Sequence, residues 1–169
     1  TDIGVGLAAI KGVEEILKKP IVPVSLLELL AIASRAEGKV AAALDAGRGE
    51  VYVGEYEVVG ESAKVAHERL LTKDEFLSMG KLATVATPDE KLAAVARDAG
   101  LAVCSVAFPG AAEIARLGSR KLQAGETVTP EQLEANYIRR TDAESLAKVS
   151  SYRHQEHSKF CERTTARCR

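Results

Sequence analysis

Two runs, Lys39–Ala46 (KVAAALDA) and Glu50–Val59 (EVYVGEYEVV), flank the tripeptide Gly47-Arg48-Gly49. Strand-like runs split by a glycine-rich turn predict a β-hairpin. The second run alternates strictly: Val51, Val53, Glu55 and Glu57 share one face, and Tyr52, Gly54, Tyr56 and Val58 the other. Asp45 sits where the first strand meets the turn. A carboxylate there either caps the turn through backbone N–H groups or holds a metal or a metal-bound phosphate; the first role is the commoner one.

The rest of the chain reads from this hairpin outward. Gly60–Leu71 is a less regular linker that ends as a strand against the hairpin. Thr72 opens TKDE, a capping box, and a short helix to about Met79. Leu82–Thr87 is a strand. Thr87-Pro88-Asp89-Glu90 gives an N-cap, a proline at the first helical position and acids in the first turn, so a helix spans Pro88–Ala99 and stops at Gly100. Leu101–Val106 is a strand, and Ala111–Ala124 a helix closed by Gly125. Thr129-Pro130 caps a brief turn, and Asn136–Arg140 is extended. Strand–helix alternation after a hairpin predicts an α/β fold, with a mixed sheet and packed helices.

Upstream, Thr1–Pro20 is an amphipathic helix. Projected at 100° per residue, Lys11, Glu14, Glu15 and Lys18 gather on one narrow arc, expected to be the solvent face or rim. Apolar and small residues cover more than half of the circumference. That excess fits either two burial surfaces, one of them outside the domain, or a central helix of a single core. Lys19-Pro20 stops this helix, Ile21–Val24 (IVPV) reads as a strand, and Ser25 with Glu28 forms a capping box for a helix running to about Arg35.

Composition narrows the function. With 169 residues, 46% of them hydrophobic, the chain can bury a real core. There is no run of eighteen apolar residues and no secretory signal, so neither membrane spanning nor export is indicated, and the three cysteines fit a reducing, cytoplasmic compartment. Residues 145–169 carry six Lys/Arg and two Asp/Glu, a net of +4, against −5 for residues 1–144. A slightly acidic body does not resemble a stand-alone nucleic-acid binder. No phosphate-binding glycine loop and no G-x-S-x-G elbow occur. His67 reads as a solvated loop residue and Cys104 as a small core residue. Nothing within residues 1–144 assembles a nucleophile, a base and an orienting group, so no catalysis is expected of it alone. The tail sets His154, His157, Cys161 and Cys168 within fifteen residues, a possible zinc set whose spacing matches no common finger. Disorder or a non-native extension is the expectation for 145–169.

Four collinear motifs resemble one family. IGVGLAAIKGVEEILKKP, then PVSLLELLA, then ALDAGRGEVYVGEYE, and last LEANYIRR are similar to successive segments of the TsaB (YeaZ) family, over residues 1 to about 144. The resemblance implies an actin/Hsp70/sugar-kinase-like (ASKHA) fold of two α/β lobes, with the first lobe largely missing here. It implies a non-catalytic dimerisation subunit that pairs through helices with a TsaD-like catalytic paralogue, or with a second copy. That complex, with further subunits, transfers a threonylcarbamoyl group to the adenosine beside the anticodon of tRNAs reading A-starting codons. The partner holds the metal and uses ATP; this subunit is expected to bind no cofactor, and to meet tRNA only through the complex. The expected interface residues are Ile3, Gly6, Leu7, Ile10, Val13 and Leu17, with Lys11 and Glu14 at the rim. The alternative is an ATP-dependent phosphotransferase, or an M22 peptidase-like member of the same superfamily, for which Asp45 is the one candidate carboxylate.

Overall fold

The Asp45–Glu50 turn is built as its residues demand. Asp45 Oδ1 accepts the Gly47 N–H at 3.0 Å, and Gly47, Arg48 and Gly49 all take positive φ. This turn joins β1 (Gly38–Gly47) to β2 (Glu50–Val59) in antiparallel register, with a bulge between Asp45 and Gly47. The computed structural model of the chain describes residues 2–79 and 83–134, and side chains from residue 4 onward. Leu82, the segment Asn136–Arg140 and the tail set His154, His157, Cys161 and Cys168 lie outside the described residues.

β3 (Ser62–Thr72) pairs with β2 antiparallel along its whole length, where a linker ending in a strand is expected from sequence. Its KVAHER stretch carries too little apolar alternation to announce a strand. An edge strand does not need it, and charged side chains protect such an edge from pairing with other chains. β4 (Thr84–Thr87) and β5 (Val103–Ser105) add in parallel on the far side of β1, giving the order β3-β2-β1-β4-β5.

The sheet is covered on both faces. On one, Val51, Val53, Ala41, Ala43 and Val85 pack with Phe76 of α3 (Lys73–Ser78) and with Leu92 and Ala96 of α4 (Glu90–Asp98). On the other, Val40, Ala42, Tyr56, Val58 and Ala86 pack with Leu27, Leu30 and Ala31 of α2 (Leu26–Ala33). The alternation read in β2 places Val51 and Val53 on the first face and Tyr56 and Val58 on the second, as expected. Gly54 lies in the same run because a Cβ there would stand 2.6 Å from the Tyr56 ring and 3.1 Å from Leu27.

Helix ends show where local rules hold and where they yield. Thr72 and Glu75 form the complete capping box of α3. The cap of α4 is Asp89, which accepts from the Lys91 and Leu92 N–H groups, and Thr87 is a fully buried strand residue whose hydroxyl accepts the Asp89 N–H. Gly100, at φ 80°, closes α4 as expected. α5 (Ala111–Gln123) ends before Gly125, also at positive φ. Ile21–Val24 does not form a strand. Pro20 and Pro23 lack N–H donors, and a single bridge from Ile21 to Val128 is all that pairs.

Candidate interaction surface

α1 (Asp2–Leu17) is a regular sixteen-residue helix ended by Lys18, whose φ is 51° and whose N–H donates to the Glu14 carbonyl at 2.6 Å. Its aliphatic side chains are largely bare: Val5 72%, Ile10 50%, Val13 51%, Ile16 80% and Leu17 59% exposed. The half-buried positions are Leu7, Lys11 and Glu14, one stripe at i, i+4 and i+7. The charged arc is therefore split. Lys11 and Glu14 turn partly inward, and Lys11 stands close enough to Glu131 to help hold that carboxyl below its ordinary value, behind the larger effects of hydrogen bonds from Thr129 and its own backbone. Glu15 and Lys18 stay exposed. Two of the four charges thus face water and two are half-buried, while most of the aliphatic side is exposed as well.

Gly6 and Gly12 sharpen this picture. A glycine inside a helix costs about 0.5–1 kcal/mol relative to alanine. Yet a Cβ built on either would meet nothing within 4 Å, so no neighbour in the chain requires their smallness. Of the expected interface residues, Gly6, Ile10, Val13 and Leu17 are exposed, and Leu7 is half-buried with Lys11 and Glu14. Ile3 lies on the α1 backbone, but its side chain is outside the described residues.

The second capping box read from sequence is absent. Ser25 takes the N-cap backbone of α2, but its hydroxyl donates to Glu68 Oε1 of β3 at 2.5 Å instead of accepting from the first turn. The Tyr56 hydroxyl donates to the same oxygen. Burial, first, and the Glu68 hydrogen bond, second, push the Tyr56 phenol far above its usual range, which keeps the hydroxyl in its donor form beside Glu68. Glu28 is buried and pairs with Lys121 of α5 at 3.0 Å, which ties α2 to α5. The signal for this pair was a lone acid within the apolar run LLELLAIA. Its partner, far along the chain, gave none.

The other candidates resolve simply. Asp45 is engaged by the turn. His67 lies exposed on β3 opposite Glu55, so it is a strand residue and not a loop one. Cys104 is partly buried on β5 and donates to the Ser34 carbonyl at 3.5 Å. Among the described residues no three or more His, Cys, Asp or Glu gather to hold a metal ion, and no helix is long and apolar enough to cross a membrane.

Comparison places this fold among known ones. A protein from Pseudomonas aeruginosa described as uncharacterized, with similarity to peptidase YeaZ, superposes with a TM-score of 0.62 at 24% identity, over 81% of this chain and 67% of that one. YeaZ from Pseudomonas aeruginosa superposes with a TM-score of 0.59 at 26% identity, over 77% of this chain and 64% of that one. The chain thus spans about two thirds of these neighbours. Together with the mixed five-stranded sheet, they establish the ASKHA-like fold that the motifs implied. No curated protein sequence matches the chain. The model of the family described as TsaD, tRNA N6-adenosine threonylcarbamoyltransferase, matches residues 1–161. That match and the YeaZ-like structures agree with the four sequence motifs: the chain belongs to the TsaD family and stands with its TsaB (YeaZ) members.

Proposed function

We propose that the chain acts in tRNA modification as a non-catalytic scaffold subunit of a cytoplasmic threonylcarbamoyl-transferring complex. α1 is the surface that pairs with a TsaD-like catalytic paralogue, or with a second copy when that partner is absent. The observation that carries this reading is the bare aliphatic side of α1, Val5, Ile10, Val13, Ile16 and Leu17, in a chain of this family. Fully burying one such side chain is worth about 1.5–3 kcal/mol, so covering these five, together equivalent to about three fully exposed ones, yields roughly 5–9 kcal/mol before association entropy of about 4–15 kcal/mol is subtracted. Further contacts from the partner are therefore needed for tight pairing, which fits a two-helix interface better than a single helix.

In this reading ATP and the metal belong to the partner subunit, and tRNA is reached only through the assembled complex. The phosphotransferase or peptidase-like alternative would have to run through Asp45, whose Oδ1 is engaged by the Gly47 N–H. Two measurements test the proposal. Ile10→Asp in the full-length protein should abolish co-elution with the TsaD-like partner. ATP hydrolysis by the isolated protein should stay at background; turnover that Asp45→Ala removes would transfer the function to the alternative.

A further inference from the structure

A groove lies between α2, the segment that follows β5, and α5. It encloses about 820 Å³ and is open to solvent, and none of its lining residues belongs to α1. Ile32 and Val106 make part of an apolar floor, and the rim carries Phe108 with Arg35, Arg116 and Arg120. Phe108 is 63% exposed, whereas Phe76 is buried in the core.

The charges on this rim are unequally engaged. Arg120 bonds Glu61 at 2.6 Å. Arg116 meets Glu113 only at 3.5 Å, and the other oxygen of Glu113 accepts the Gly110 N–H at 3.0 Å. Arg35, held at φ 52° just beyond α2, has no ion-pair partner among the described residues. Two guanidinium groups, those of Arg35 and Arg116, therefore line the same groove as an exposed phenyl ring and have donors to spare. Arginine and aromatic side chains around an apolar floor are what protein-binding hot spots are made of, and guanidinium groups pair in bidentate fashion with carboxylates and with phosphates. Glu61 and Glu113 stand on the same rim and would repel a continuous polyphosphate chain, whereas a peptide can space its carboxylates around them.

We propose that this groove receives an acidic segment of a partner protein, with an apolar side chain seated beside Phe108 and carboxylates on Arg35 and Arg116. The site is separate from the α1 surface and does not depend on it. Fluorescence anisotropy on the full-length protein tests it, with a labelled synthetic peptide of alternating leucine and glutamate as the probe. That peptide should bind. Binding should weaken at least tenfold in the Arg35→Glu, Arg116→Glu double variant and in Phe108→Ser, and stay unchanged in Ile10→Asp. Arg116→Glu with Phe108→Ser carries the test if circular dichroism shows that Arg35→Glu disturbs the fold. No binding overturns the proposal, as does equal binding of a leucine–lysine peptide or undiminished binding by the charge-reversed variant. Displacement of the peptide by single-stranded oligouridylate would assign the groove to RNA. Self-association lost in Phe108→Ser, without peptide binding, would assign it to a second copy. Either result overturns the peptide assignment.

Discussion

Replacing Lys121 by methionine isolates the tie between α2 and α5. Glu28 sits in the first turn of α2 with Lys121 Nζ 3.0 Å away, and the two side chains keep 12% and 19% of their surface. Lys121→Met keeps the aliphatic stem and deletes the charge, which leaves a desolvated carboxylate without a cation. Breaking a fully buried pair costs about 3–5 kcal/mol; the remaining exposure lets water recover part of that, so the expected loss is about 2–3 kcal/mol. For a chain of this size that lowers Tm by roughly 4–12 °C. Urea unfolding followed by circular dichroism measures it. Adding Glu28→Leu removes the stranded charge and should restore stability to within about 1 kcal/mol of wild type. Burial pushes the Lys121 ammonium down, but the hydrogen bond and charge of Glu28, with help from Glu126, outweigh it and hold the group above the ordinary lysine value of 10.5. A raised folded-state value means that the stabilisation is complete below that ordinary value and is lost as pH rises through the folded one. Wild type should therefore lose this stability in strong alkali, and Lys121→Met should not show that limb. A loss below about 0.5 kcal/mol, or no rescue by Glu28→Leu, would refute the reasoning, because an exposed pair behaves that way.

Three further outcomes are expected. Gly6→Ala should raise thermal stability, worth about 0.5–1 kcal/mol, because nothing in the chain occupies the space of the new methyl, and should weaken pairing with the partner if close helix approach uses that space. Tyr56→Phe should cost about 1–2 kcal/mol in urea unfolding, since the hydroxyl is the half-buried link between β2 and Glu68. Thr72→Ala should cost about 0.5–2 kcal/mol by removing the cap of α3. The backbone N–H of Thr72, then its hydroxyl, hold the Glu75 carboxyl below its usual range, so the wild type should lose stability as pH falls through that lowered value; Thr72→Ala keeps the backbone N–H and removes only the hydroxyl, so a pH titration of Tm should show a smaller acid limb that does not vanish.

The hairpin, the strand–helix alternation and the glycine stops were legible because each is set by residues adjacent in sequence. Thr72–Glu75 and Ser25–Glu28 carry the same capping pattern, yet only the first pair caps. The difference lies in tertiary partners: Glu68 takes the Ser25 hydroxyl and Lys121 takes Glu28. The length of β3 was hidden for a related reason, because an edge strand is defined by its neighbour and not by its own apolar alternation. In α1 the projection found the apolar side correctly, but not that Leu7, Lys11 and Glu14 would be the half-buried stripe. A wheel ranks side chains by polarity, whereas the rest of the chain decides which side is covered.

The most direct test of the account is whether the bare side of α1 is the partner surface. Ile10→Asp with Val13→Asp changes two half-exposed side chains, so the fold should be kept and the unfolding free energy should stay within about 0.5 kcal/mol of wild type. Isothermal titration of the full-length double variant with its TsaD-like paralogue should then show no complex, where wild type forms one. A complex of unchanged affinity with an intact fold would contradict the account and place the interface elsewhere on the chain.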